Sequence, residues 1–360
     1  MKNYLLATLG CLLLLTCGPS STTTDSAEEL PVAEPMADLT IARIDTFSFP
    51  SSIRALQAVD ENTVWFAGSS GRVGHTSDGG ETWQVDSIEH EGRLLHFRSI
   101  AVTDQAVFVL SIESPALLYR SIDQGQSWEL VYQEDHPAAF YDAMQFWDNQ
   151  TGIAMGDPTD GCISIIMTED GGQSWQKIPC DRLPAAAEGE AAFAASNSNI
   201  ALQGDQAWIV TGGAKARVLH SSDRAKSWSI YQSPLAEGGQ MTGIYTVDFW
   251  DEQQGIIFGG DWNDKAINTS NKASTKDGGQ SWQLLADGAG PGYRSSVKYF
   301  PQGAGQAILA AGIPGISVSY DSGENWEELS TESWYALSFV PDSKECWLSG
   351  GGKLGRIVWE

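Results

Sequence analysis

Apolar residues along this chain come in short runs of four to six, each ended by Gly, Asn, Asp or Ser before the next begins. Such punctuated, β-branched and aromatic runs predict strands joined by tight turns, with no helical period anywhere in the body of the chain. The first unit shows the pattern. Residues 54–59 (Arg-Ala-Leu-Gln-Ala-Val) form a candidate innermost strand, 63–67 (Thr-Val-Trp-Phe-Ala) a second, 71–75 a third and 83–85 a fourth.

Between the third and fourth runs lies a signature that recurs six times: Ser or Thr, Asp two residues on, usually Gly two further, and Trp three after that. The copies are Thr76-Asp78-Gly80-Trp83, Ser121-Asp123-Gly125-Trp128, Thr168-Asp170-Gly172-Trp175, Ser221-Asp223-Ala225-Trp228, Thr275-Asp277-Gly279-Trp282 and Ser319-Asp321-Gly323-Trp326. Their Asp residues lie 45, 47, 53, 54 and 44 positions apart. A period in the forties suits four-stranded propeller blades. The Asp can bond backbone amides in the turn, the Gly supplies positive φ, and the Trp covers apolar surface. Six copies spaced round a ring cannot converge on one substrate, so the box is read as a hairpin staple.

Inner strands start at Arg54, Arg98, Tyr141, about Ala192, Tyr245, Arg294 and Tyr335, one more start than there are boxes. The last unit stops where a box would begin, and the β-like run 40–45 is free to supply its missing strand. The expected fold is therefore all-β: a single seven-bladed β-propeller over residues 39–360, with four-stranded antiparallel blades and the ring closed by the N-terminal strand.

The two stretches before it read differently. Residues 1–16 carry Lys2 and an apolar run, and read as an export signal. Leu14-Leu15-Thr16-Cys17 resembles the bacterial lipobox, which makes Cys17 the lipidation site. Residues 17–38 are Ser, Thr, Pro, Ala and acid, a disordered tether. A lipid-anchored protein of the bacterial cell envelope is expected, on either the periplasmic face or the cell surface.

Net charge is −25, which argues against nucleic acid or anionic lipid surfaces as partners. Cys162 and Cys180 flank the third box symmetrically, so a hairpin turning there predicts a disulfide between them. Cys346 sits in an apolar run and reads as a buried thiol. The five His show no metal-ligand spacing, and no Gly-rich turn leads into a helix that would hold a dinucleotide. No cofactor and no metal are expected.

Aligned on the inner strands, one column reads Arg54, Arg98, Tyr141, Tyr245, Arg294 and Tyr335, with Asp142, Glu190 and Arg217 nearby. One reading has the arginines pairing with acids and stacking on tyrosines to hold the blades together. The other has them facing the central channel, where guanidinium forks would grip carboxylate groups. An Arg triad with a Tyr and two carboxylates is also what sialidases use, so a glycan-acting propeller, hydrolase or lectin-like, is the alternative function.

Between the boxes, the segments Phe97-Arg98-Ser99-Ile100, Ala139-Phe140-Tyr141-Asp142-Ala143, Gly152-Ile153-Ala154-Met155-Gly156-Asp157-Pro158, Gly189-Glu190-Ala191-Ala192-Phe193-Ala194-Ala195-Ser196, Thr211-Gly212-Gly213-Ala214-Lys215-Ala216-Arg217 and Gly292-Tyr293-Arg294-Ser295-Ser296 are more distinctive. In these the chain resembles the photosystem II stability/assembly factor-like family of Asp-box (BNR-repeat) propellers. That resemblance implies a seven-bladed scaffold that binds a segment of an envelope or membrane protein, with an Arg patch at the channel mouth; a non-catalytic monomer is the expectation.

Overall fold

In the computed structural model, which describes residues 39–360, nearly all regular structure is β-strand, and the one helical element among these residues is a 3-10 turn at Cys180–Arg182. The signal, Cys17 and the tether lie outside the described residues. Among the described residues no helix is long and apolar enough to cross a membrane.

Strands follow one another as antiparallel neighbours. Phe97–Val102, Val107–Ser111, Ala116–Ser121 and Glu129–Glu134 make one four-stranded sheet, and three more sheets repeat the arrangement. The innermost strands pack side by side in a cycle. Ile41–Ala58 touches Phe97–Val102, then come Tyr141–Phe146, Ile200–Gln203, Thr242–Phe249, Ser296–Tyr299 and Ala336–Phe339, which returns to Ile41–Ala58. This is a propeller.

Seven separate four-stranded sheets are not what the ladders form. Hydrogen bonding joins the strands into six sheets, two of them six-stranded, with a small two-stranded ribbon beside them. The reason lies in one long strand. Ile41–Ala58 pairs through 41–48 with 353–359 of Cys346–Trp359, and through 53–58 with Val64–Gly68, so two groups of strands share one ladder. The first and last strands of the described chain thus lie side by side, from Ile41 opposite Trp359 to Ser48 opposite Lys353. Counting strand starts cannot reveal a strand that runs on from one group into the next.

A second correction concerns residue 192. The inner strand placed near Ala192 is Ile200–Gln203, while Glu190–Ala191 pairs with Gly212–Gly213 at the edge of the other six-stranded sheet. Residues 192–199 are left to run through the centre of the ring.

Between neighbouring sheets sit layers of aliphatic and aromatic side chains. Phe108, Leu110 and Leu118 meet Tyr141, Met144 and Ile166 in one layer, and Ile153 and Ile165 meet Ile200, Ile209 and Leu219 in the next. Each such side chain contributes ~1.5–3 kcal/mol through its burial. Cys162 and Cys180 are joined by a disulfide, with Cα atoms 5.5 Å apart, and Cys346 is a buried free thiol.

Each box ties its own turn with the same pattern of four bonds, the last donor being a hydroxyl in five boxes and the Asn325 amide in the sixth. In the first, Thr76 Oγ1 donates to Asp78 Oδ1 (2.7 Å) and accepts from Gly80 N (2.9 Å), while Thr82 N and Oγ1 donate to the two Asp78 oxygens. These donors hold the Asp78 carboxyl down at about 2. At Ala225 the backbone adopts φ 63° without glycine, and the Ser221 to Ala225 bond is retained at 2.8 Å.

Candidate functional site

Four inner strands carry a register shift at the same place. It falls between Ile53 and Ala55, Phe97 and Ser99, Tyr141 and Ala143, and Ile244 and Thr246. The residue left without a partner at each shift is Arg54, Arg98, Asp142 and Tyr245. A β-bulge re-aims the side chain of its extra residue. Close backbone approach accompanies the bulge: a Cβ at Gly156 would run into the Phe140 carbonyl, and one at Gly259 into the Gly243 carbonyl.

The sequence column is therefore one residue out at Tyr141. Tyr141 stands before its bulge, fully buried among Phe108, Leu118 and Met144, its hydroxyl 3.5 Å from that of Tyr132. Arg294, ahead of the inner strand Ser296–Tyr299, lies beside Gly312, buried, donating to Ser317 Oγ (2.8 Å) and the Tyr293 carbonyl (2.9 Å). Burial lowers its guanidinium to about 10.

Arg217 and Glu190 find each other. Their side chains form a two-point ion pair, Nε to Oε1 at 3.0 Å and Nη2 to Oε2, and Glu190 also accepts from Thr211 Oγ1 (2.7 Å) and Ala187 N (2.8 Å). Neither side chain lines a central cavity.

What occupies the centre is the segment 192–199, and it bonds to almost every sheet around it. Ala192 N donates to Asp157 Oδ1 (2.7 Å); the carbonyls of Ala194 and Ala195 accept from Arg98 Nη1 (2.8 Å) and Arg54 Nη1 (3.3 Å). Ser196 Oγ donates to the Ser295 carbonyl and Ser198 Oγ to Thr246 Oγ1; Asn197 bridges Ile100 O and Met144 N. Its sequence, Ala-Phe-Ala-Ala-Ser-Asn-Ser-Asn, is small and polar because backbone and short hydroxyls must reach in several directions within a narrow bore. That composition was the available signal for a hub.

The hub has a cavity on each side. One, of about 310 Å³, is lined by Arg54, Arg98, Asp157, Tyr245, Trp262 and Tyr293 together with Phe140, Met241 and hub residues 191–195. The other, of about 210 Å³, is lined by Gln57, Gln145, Lys298 and Ser338 with hub residues 196–198. In the second, Lys298 pairs with Asp248 (2.7 Å), and Gln57 and Gln145 bond backbone groups of the neighbouring inner strands.

In the first cavity the cations are differently placed. Arg54 stacks on the Tyr335 ring at 3.9 Å, and Phe193 lies flat on Tyr245 at 3.9 Å with Tyr293 edge-on to Tyr245 at 4.7 Å. Neither Arg54 nor Arg98 forms an ion pair with a carboxylate among the described residues, and each is known by one hydrogen bond to a hub carbonyl. Burial pulls both guanidinium groups down, Arg98 to about 10 with Arg54 beside it adding repulsion. Asp157 is the one acid in the lining, and burial raises its carboxyl. Behind it Asp142 is fully buried, and neither of its oxygens has a hydrogen-bond partner. Among the described residues no group of three or more His, Cys, Asp and Glu is placed to hold a metal ion.

A family profile described as photosynthesis system II assembly factor YCF48 matches residues 43–138, a stretch containing Arg54 and Arg98. The curated photosystem II assembly lipoprotein Ycf48 of Synechococcus sp. (strain CC9902) is 22% identical over 256 residues, covering 62% of this chain and 72% of that one. Among solved structures, YCF48 bound to a D1 peptide is similar with a TM-score of 0.64 at 15% identity, over 89% of this chain and 99% of that one. YCF48 from Cyanidioschyzon merolae gives 0.63 at 16% identity, over 88% and 99%.

Proposed function

We propose that this chain, which is similar to photosystem II assembly factor YCF48, is an interaction scaffold of the bacterial envelope, lipid-anchored at Cys17, that holds a segment of a partner protein in the hub cavity. The observation that carries this reading is the pair of half-buried guanidinium groups of Arg54 and Arg98, free of carboxylate partners and walled by Phe193, Tyr245, Trp262 and Tyr293. Aromatic walls suit apolar side chains, and forked cations suit a carboxylate. A protein segment is the class of partner that the peptide-bound YCF48 relative supports, and the lipoprotein name of the cyanobacterial relative supports the anchor.

The contact set is smaller than the sequence column. Arg54, Arg98, Tyr245 and Tyr335 stay in it, with Asp142 behind. Arg217 and Glu190 serve each other, and Tyr141 and Arg294 serve the packing. A glycosidase would need two carboxyl groups facing across a pocket about 5–9 Å apart. The hub cavity holds a single acid, Asp157, with one of its oxygens already bonded, and so does not offer that pair to the glycan-acting alternative.

A photo-cross-linking side chain at Gln240, on the cavity rim, tests the proposal in cells making the full chain. One discrete adduct should form, and it should vanish when Arg54→Gln and Arg98→Gln are combined. Equal adduct yield in the double variant would remove the cavity from the function.

A further inference from the structure

Asp142 is an anomaly in this molecule. The bulge between Tyr141 and Ala143 turns it inward, it is wholly buried, and neither carboxyl oxygen has a hydrogen-bond partner. An ionised carboxylate in that state is far more costly than a neutral acid, because nothing replaces the water it lost. Yet a cation stands nearby. Arg98 occupies the same bulge position on the adjacent inner strand, its Nη1 spent on the Ala194 carbonyl and its Nε buried without a partner. The two do not form an ion pair in this structure.

Resting on the reading of the cavity as a carboxylate site, we propose that Asp142 is an internal competitor for Arg98: while it keeps its proton the guanidinium is free for an incoming carboxylate, and when it gives the proton to water the two close on each other and release the ligand. Asp142 is thus a positioning residue. It need not touch the ligand.

The surroundings support this exchange. Of the elements packed against Tyr141–Phe146, Gly152–Thr159 brings the titratable Asp157, and Phe97–Val102 brings Arg98; Val107–Ser111 and Ile200–Gln203 bring no ionisable side chain. Arg54 beside it, and more weakly Glu113 and Tyr335, also act on Arg98. Burial first and the Asp157 charge second push the Asp142 carboxyl well above the usual range, and the Arg98 charge opposes them. A ligand carboxylate arriving at Arg98 would neutralise that opposing charge and hold the Asp142 proton more firmly. Ligand binding and protonation therefore reinforce one another.

Two measurements on the purified full chain decide it. In the infrared, wild type minus Asp142→Asn at neutral pH should show the carbonyl stretch of a protonated carboxylic acid, lost as pH is raised. Its absence at neutral pH overturns the inference and leaves the cavity reading standing. Calorimetry with 3-phenylpropionate, and with its amide as control, then follows affinity between about pH 5 and about pH 9. Wild-type affinity should fall up to ~tenfold per pH unit as the band disappears, while Asp142→Asn binds without that dependence. Affinity that is equally flat in both proteins rejects the exchange. If neither protein binds the acid at any pH although the band is present, the carboxylate-site reading itself fails and takes the exchange with it.

Discussion

Two arginines beside two buried acids have opposite fates in this ring. Arg217 reaches Glu190 along the edge of a sheet, and the acid's four bonding directions are filled by the guanidinium, Thr211 Oγ1 and Ala187 N. Arg98 stands near Asp142 and gives its bond to a backbone carbonyl of the hub instead, leaving the acid with none. The first pair is closed and structural. The second is open, and open polar groups in a buried place are where binding can be gained. The difference arises from geometry: Glu190, on the edge strand Glu190–Ala191, meets Arg217 of another sheet with two further donors at hand, whereas the bulge aims Arg98 at a hub that came from elsewhere in the chain and Asp142 is left without a partner.

That contrast can be broken most forcefully at the closed pair. Glu190→Ala should leave the Arg217 guanidinium buried without its counter-charge and cost about 3–5 kcal/mol of stability in denaturant unfolding. A loss under ~1 kcal/mol would place Glu190 with the exposed pairs, such as Arg224 with Asp148 and Asp205, whose individual worth is ~0–1 kcal/mol.

At the open pair the sign reverses. A carboxyl whose folded titration point lies above its unfolded one binds more protons when folded, so its contribution to stability is fully present below about pH 4 and declines as pH rises toward the folded value. Asp142→Asn removes that decline. The variant should gain on wild type by ~1.4 kcal/mol for each pH unit above about 4 as long as the acid keeps its proton, readable as melting temperature against pH. A variant less stable than wild type at every pH would show that the carboxylate is structural after all.

The smallest effect belongs to the boxes. Asp78 and Asp123 are held at about 2 by hydrogen bonds from Thr82 and Ser127, so the stability they add is present above about pH 4 and disappears as pH falls toward 2. Asp78→Asn should lower stability slightly at neutral pH and flatten the acid limb of the curve, the two proteins converging as pH falls toward 2. Being exposed turns, they make a baseline against which both buried pairs are measured.

Much of this was legible in the residues. The boxes, their period and the strand runs between them announced a propeller because every interaction they need lies within a few residues: a hydroxyl, a carboxylate and an amide in one turn. The cysteines flanking the third box paired for the same reason. Arg54, Arg98, Tyr245 and Tyr335 could be found by counting from the strand starts. Tyr141 could not be placed by that count, since one bulge residue inverts which face a side chain takes, and Arg294 takes its place from Ser317 and the Tyr293 carbonyl ahead of its strand. The sequence showed Asp142 only as a neighbour of Tyr141.

What the chain settled alone, then, is the repeat, since a hairpin closes on its own local bonds. Only the tertiary structure decided how ladders merge into six sheets, because the long strand Ile41–Ala58 pairs with residues some three hundred positions away. It decided the hub as well. Residues 192–199 carry no strand or helix period and take their shape from partners on Phe97–Val102, Tyr141–Phe146, Thr242–Phe249 and the approach to Ser296–Tyr299. Which arginines are spent and which remain available follows from where that segment lies. Such a choice depends on bonds that exist only when the whole ring is assembled.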